Sequence, residues 1–379
     1  MRNEKFDDLR PYYDEEIPAA MDRIAGSEYF PVLASFAYPG QDTEAVRQRL
    51  RGYTTIRDFQ LQTMRAVNEQ VIARSIRRFT CEGIDALDKE ECYLFVSNHR
   101  DIMLDSSLLQ YALYCSGYQT TEITFGSNLM SSQLVIDIGK SNKMFKVVRG
   151  GNAKDFYHHS LHLSEYMHYT ITDKRESIWI AQRNGRTKDG TDATDPGIVK
   201  LFYMGSPADP VSALLSLRIV PVSIAYQWEP CDWLKARELY TLRRTGAYTK
   251  KPEEDLKSIL TGIMQPKGDV HIAVGTPLQA ADLEPLRGLP NNKFNKQAAC
   301  LIDRQITSRY RLSCNNYIAH DIRSHSDAYA SYYTPEEKET FVKHFREGLA
   351  AGVEDNELLA GIFLGIYANP IDSQPQSAP

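Results

Sequence analysis

No run of the 379 residues approaches the ~20 consecutive apolar side chains that a helix needs to cross a bilayer. The six cysteines, Cys81, Cys92, Cys115, Cys231, Cys300 and Cys314, include no C-x-x-C pair, so neither a zinc site nor a disulfide framework is indicated. A basic excess is also missing. Forty-four lysines and arginines stand against 49 acidic residues, a formal net charge of -5, which argues against a general nucleic-acid binder. The first eight residues, Met1 to Asp8, are charged and lack the apolar core of a secretion signal. The expected location is therefore cytoplasmic, and any lipid would be met from the side, on the inner face of a membrane. No G-x-S-x-G elbow and no glycine-rich loop with a Val-Ala-Ile-Lys strand occurs, which removes the α/β-hydrolase and protein-kinase readings. His99-Arg100-Asp101 does spell a kinase triplet, but Ser106 stands where that motif needs asparagine.

What is present fits a globular chain, with 42% hydrophobic and 25% charged residues. Residues 1–80 read as a helical N-terminal segment, best seen from Ile56 to Phe79, where apolar residues recur at helical spacing. From 81 to 280 short apolar runs alternate with helical stretches. The runs are Cys92–Val96, Glu122–Phe125, Ser177–Ala181, Ile219–Tyr226 and Val270–Val274. Their length and β-branched content predict an α/β domain, a central twisted and mostly parallel sheet flanked by helices. Residues 281–370 read as a helical C-terminal extension and 371–379 as a disordered tail.

The segment Ser97-Asn98-His99-Arg100-Asp101-Ile102-Met103-Leu104-Asp105 follows one such strand and leads into an apolar-periodic helix. The carboxyl end of a strand is where open α/β sheets place their sites. A carboxylate that accepts the proton of one imidazole nitrogen leaves the other free to take a proton from a hydroxyl. The plainer reading is that Asn98 and Asp101 cap a helix and His99 fills a turn.

Four segments in order resemble the four blocks of the glycerolipid acyltransferase superfamily, which includes glycerol-3-phosphate and 1-acylglycerol-3-phosphate acyltransferases. They are Asn98 to Asp105; Met144 to Gly150, an apolar run ending in arginine; Gln182 to Gly190, after a strand; and Ile219 to Tyr226, a strand with a central proline. The resemblance covers roughly residues 90 to 280. It implies that His99 is the general base and Asp105 its orienting acid. It also implies that Arg149 and Arg186, with Gly185, Lys188 and Arg100, hold an anionic acceptor. The implied reaction moves a fatty acyl group from acyl-carrier protein or acyl-CoA to glycerol-3-phosphate or a lysophospholipid, at a membrane surface, with no cofactor and no metal. The alternative is a catalytically degenerate module that binds lipid or acyl carrier.

Two departures stand out. Five residues rather than four separate His99 from Asp105, so either a bulge at the helix start restores the pair or Asp101 takes the role. The apolar run after Asp105 favours the first. The third block lacks its glutamate, and Arg183-Asn184 stands there. Finally, Lys235, Arg237, Arg243, Arg244, Lys250 and Lys251, interleaved with leucine and tyrosine, read as a basic segment suited to an anionic leaflet.

Overall fold

Seven strands, β1 (Ile76–Glu82), β2 (Leu94–Ser97), β3 (Glu122–Gly126), β4 (Met144–Val147), β5 (Ile178–Ala181), β6 (Ile219–Tyr226) and β7 (Gly268–Val274), form one sheet in the computed structural model. The structure describes residues 3–148, 150, 152–251, 253–350 and 354–374. The order across the sheet is β1-β7-β6-β2-β5-β3-β4. Neighbours pair in parallel except β6 with β7, which are antiparallel. The fold is α/β, mostly parallel and flanked by helices, as the alternating runs imply.

The central strands are buried at every position, which is why they read as continuous apolar runs. Successive side chains still divide between two cores. Leu94, Val96, Ile178, Ile180 and Ile219 face one helical layer, with Phe202, Phe294 and Ile302. Phe95, Trp179, Val220, Val222 and Ile224 face the other, with Leu104, Leu108 and Leu109. A third core sits among the N-terminal helices around Ile17, Met21 and Phe59, and a fourth around Trp233, Phe341 and Phe363.

The helix expected to run to Phe79 stops at Ser75, whose Oγ turns back to the Val71 carbonyl at 2.6 Å. Ile76 to Glu82 then leaves the helix to pair with β7, and Arg77 and Arg78 both meet Asp269 of that strand. The region 281–370 is helical, but its Asn291–Arg309 helix belongs to the first core of the sheet rather than to an appendage. The last helix runs from Asn356 to Asp372, past the boundary expected at 371, and residues 375–379 of the expected tail lie outside the described ones. Among the described residues no helix is long and apolar enough to cross a membrane.

Candidate active site

Beyond Ser97 the chain continues straight into Asn98, whose side-chain amide copies a backbone pairing. Its Oδ1 accepts from the Ile224 N–H at 2.8 Å and its Nδ2 donates to the Ile224 carbonyl at 3.0 Å. That bond fixes where His99 leaves the sheet. The turn 101–103 follows, and the helix Leu104–Cys115 begins, placing Asp105 in its first turn. The extra residue between His99 and Asp105 is taken up in this turn.

His99 Nδ1 lies 2.8 Å from Asp105 Oδ2. The same oxygen accepts the backbone N–H groups of Arg100 (2.6 Å) and Asp101 (2.9 Å), and Oδ1 accepts from the Tyr226 hydroxyl (2.8 Å). Burial and the Asp105 carboxylate push the Tyr226 phenol well above its ordinary value, so it stays a donor. Asp105 is thus a buried carboxylate surrounded by donors. It fixes the proton on Nδ1 and leaves Nε2 as an acceptor. Asp101, the alternative partner, instead accepts the N–H groups of Met103 and Leu104 with its Oδ1, both at 2.9 Å, ahead of the helix. Trp179 stands edge-on to the imidazole, with ring centroids 6.0 Å apart, and its Nε1 donates to Ser97 Oγ at 3.0 Å.

His99 lines a cavity of about 820 Å³ at the carboxyl ends of the parallel strands. Gly126 at the end of β3, Val147 and Val148 at the end of β4 and Ala181 of β5 line it, and Leu163, Ile198, Leu201 and Met204 extend it as an apolar pocket. The loop after β5 closes one wall. Gly185, at φ +75°, makes the reversal that L side chains disfavour, although a Cβ there would meet nothing. Thr187 N–H donates to the His99 carbonyl at 2.8 Å, tying the loop to the dyad.

Arg186 is buried on that wall. Nη2 donates to Ser258 Oγ at 2.8 Å, while Nη1 has no hydrogen-bond partner among the described residues. Lys188 also reaches the cavity, but its ammonium is paired with Glu238. Arg149 lies outside the described residues. Arg183 and Lys146 line the cavity without a carboxylate partner among the described residues. Tyr226, Trp179, Ser258, Arg183 and Lys146 were not expected as site residues, although Tyr226 ends the fourth block and Arg183-Asn184 stands where the third block lacks its glutamate.

Two expectations are corrected. Arg100 does not face the cavity. At 1% exposure its guanidinium lies over the Tyr310 ring and bonds Asp192 (2.6 Å), Glu229 (3.3 Å) and the Gly190 carbonyl (3.2 Å). Carboxylates reached through the fold outcompete the site for it. Lys235 is also fully buried, held by Glu229 Oε1 and the Arg100 carbonyl, both at 2.6 Å. It cannot belong to a surface segment, and Arg237, bonded to the Gly348 carbonyl at 2.9 Å, is drawn inward as well.

The last helix supports the site loop from behind. Asn369 Nδ2 donates to the Asp189 carbonyl at 2.7 Å, and a Cβ on Gly190 would meet the Ile366 carbonyl oxygen at 2.1 Å. No His, Cys, Asp or Glu group among the described residues is arranged to hold a metal ion.

No protein-family model matches the chain, and no curated protein matches it. Among solved structures, the chain is similar to the crystal structure of the 1-acyl-sn-glycerophosphate (LPA) acyltransferase PlsC from Thermotoga maritima, at 13% identity and a TM-score of 0.36, over 76% of this chain and 92% of that one.

Proposed function

We propose that the protein is a lipid acyltransferase that uses His99 as general base. The observation that carries the reading is the dyad at the cavity. Nδ1 is held by a carboxylate with four donors, and no described residue bonds Nε2. In the proposed reaction Nε2 takes the proton of an acceptor hydroxyl, whose oxygen attacks the carbonyl carbon of an acyl thioester. The new C–O bond forms, the C–S bond breaks from the tetrahedral intermediate, and the proton passes from Nε2 to the departing sulfur. The apolar end of the cavity accepts the acyl chain. Arg186, with an unused buried N–H, binds the anionic group of the acceptor, glycerol-3-phosphate or a lysophospholipid. Arg149 is proposed to share that role, and Arg183 and Lys146 add positive charge along the cavity wall. The donor is acyl-CoA or acyl-carrier protein, and catalysis takes place at the cytoplasmic face of a membrane.

The test is transfer of a labelled acyl group from each donor to each acceptor, with wild type and His99→Ala. Loss of the histidine should slow transfer by about 10²–10⁴-fold. A rate that ignores the substitution would retire the enzyme reading in favour of a lipid-binding module.

A further inference from the structure

The Glu254–Met264 helix presents its faces in reverse. Its packed side carries the small residues Ser258, which holds Arg186, and Gly262, which lies against Asp101. The opposite side carries Leu256, Leu260 and Met264, spaced i, i+4, i+8 and 59%, 54% and 61% exposed. Surface helices in water turn their large apolar side chains inward, because apolar area in water is unfavourable. A continuous outward stripe marks a surface that another phase or molecule covers.

The position of the stripe and its charged border say what covers it. The first turn of the helix stands at the cavity mouth, where Asp255 and Lys250 line the opening and Asn128 reaches Asp255 at 3.4 Å. Lys251, just before the helix, and Lys257, within it, are exposed with no carboxylate partner among the described residues; of the acids at its start, Glu254 is engaged by Tyr248 and Asp255 by Lys250, which leaves Glu253 exposed. We propose that this stripe and its two lysines are the face on which the protein lies on an anionic lipid bilayer. The cavity mouth then opens at the leaflet, and a lipid acceptor reaches His99 without leaving the membrane surface. A second copy of the chain is the poorer occupant. A twofold contact sets a patch against itself and would bring the same cations together. The proposal rests on the acyl-transfer reading for the lipid that enters, but its test does not need turnover.

The measurement is co-sedimentation of the full chain with phosphatidylcholine vesicles, with and without phosphatidylglycerol. Two variants accompany wild type: Leu256→Ser with Leu260→Ser and Met264→Ser, and Lys251→Glu with Lys257→Glu. Circular dichroism melts establish that both fold. Wild type should bind the anionic vesicles and lose binding as salt is raised. Each variant should lower the bound fraction by about tenfold or more while leaving transfer between a soluble short-chain thioester and a soluble acceptor unchanged. Undiminished binding of the triple variant overturns the assignment. So does a wild-type dimer that the triple variant dissolves. Vesicle binding in a protein that transfers no acyl group would count against the reaction and for the docking face.

Discussion

The Thr187 N–H and the His99 carbonyl are hydrogen-bonded across 2.8 Å, joining two loops that leave neighbouring strands. The contact ties the loop that carries Arg186, the proposed anion-binding residue, to the backbone of His99, the proposed base. This coupling frames the expected behaviour of variants.

Asp105→Asn keeps the shape of the side chain but removes the charge that fixes the Nδ1 proton. We expect kcat to fall by about 10²–10⁴-fold with little change in KM. Steady-state kinetics over a range of acceptor concentrations would reveal it. A change confined to KM would contradict the orienting role.

Arg186→Ala should raise the acceptor KM, by about tenfold or more for one lost charged hydrogen bond, and move the donor KM less. Arg186→Lys should recover little, since an ammonium cannot keep Ser258 and offer a second planar N–H. If the donor KM alone responds, Arg186 serves the thioester and not the acceptor.

Arg100→Met should act on stability and not on acceptor binding. It leaves Asp192 and Glu229 in a buried cluster short of a cation, a loss of about 3 kcal/mol or more. Chemical denaturation gives the number. A variant of wild-type stability with a raised acceptor KM would return Arg100 to the binding site.

Burial pushes the Lys267 ammonium down to about 8, although its Nζ reaches Ser75 Oγ (2.9 Å) and the Ile263 and Gln265 carbonyls (3.2 and 2.7 Å). Above pH 8 and below the ordinary lysine value of 10.5, the unfolded chain keeps a proton that the folded chain has released. Stability must therefore rise with pH in that window. From pH 8 to 10, wild type should gain about 2 kcal/mol relative to Lys267→Met. Urea unfolding at the two pH values measures it, and a parallel response of both proteins would exclude the buried amine as the cause.

The parts of the fold that were legible in the sequence are those whose burial is complete. The strand β6 shows at all eight positions because both of its faces are covered. By contrast, β1 hides behind Arg77 and Arg78, whose partner Asp269 is about 190 residues away. The dyad was legible because seven residues of sequence contain it. Which arginine turns toward the cavity was not. Arg100 and Arg186 look alike locally, and the acids that claim Arg100 lie 92 and 129 residues on. The burial of Lys235 was hidden for another reason: its acid Glu229 is six residues away, but the Arg100 carbonyl that completes its site is 135 residues away. Neither Asp101 nor Asp105 could be excluded until the turn at 101–103 showed which carboxylate swings under the ring.

The contact between Asn369 and the loop at Asp189 carries one more consequence, for synthesis of the chain. The wall holding Arg186 lacks its backing until residues 356–372 have left the ribosome and docked. All seven strands of the sheet are therefore synthesised before this loop can be braced.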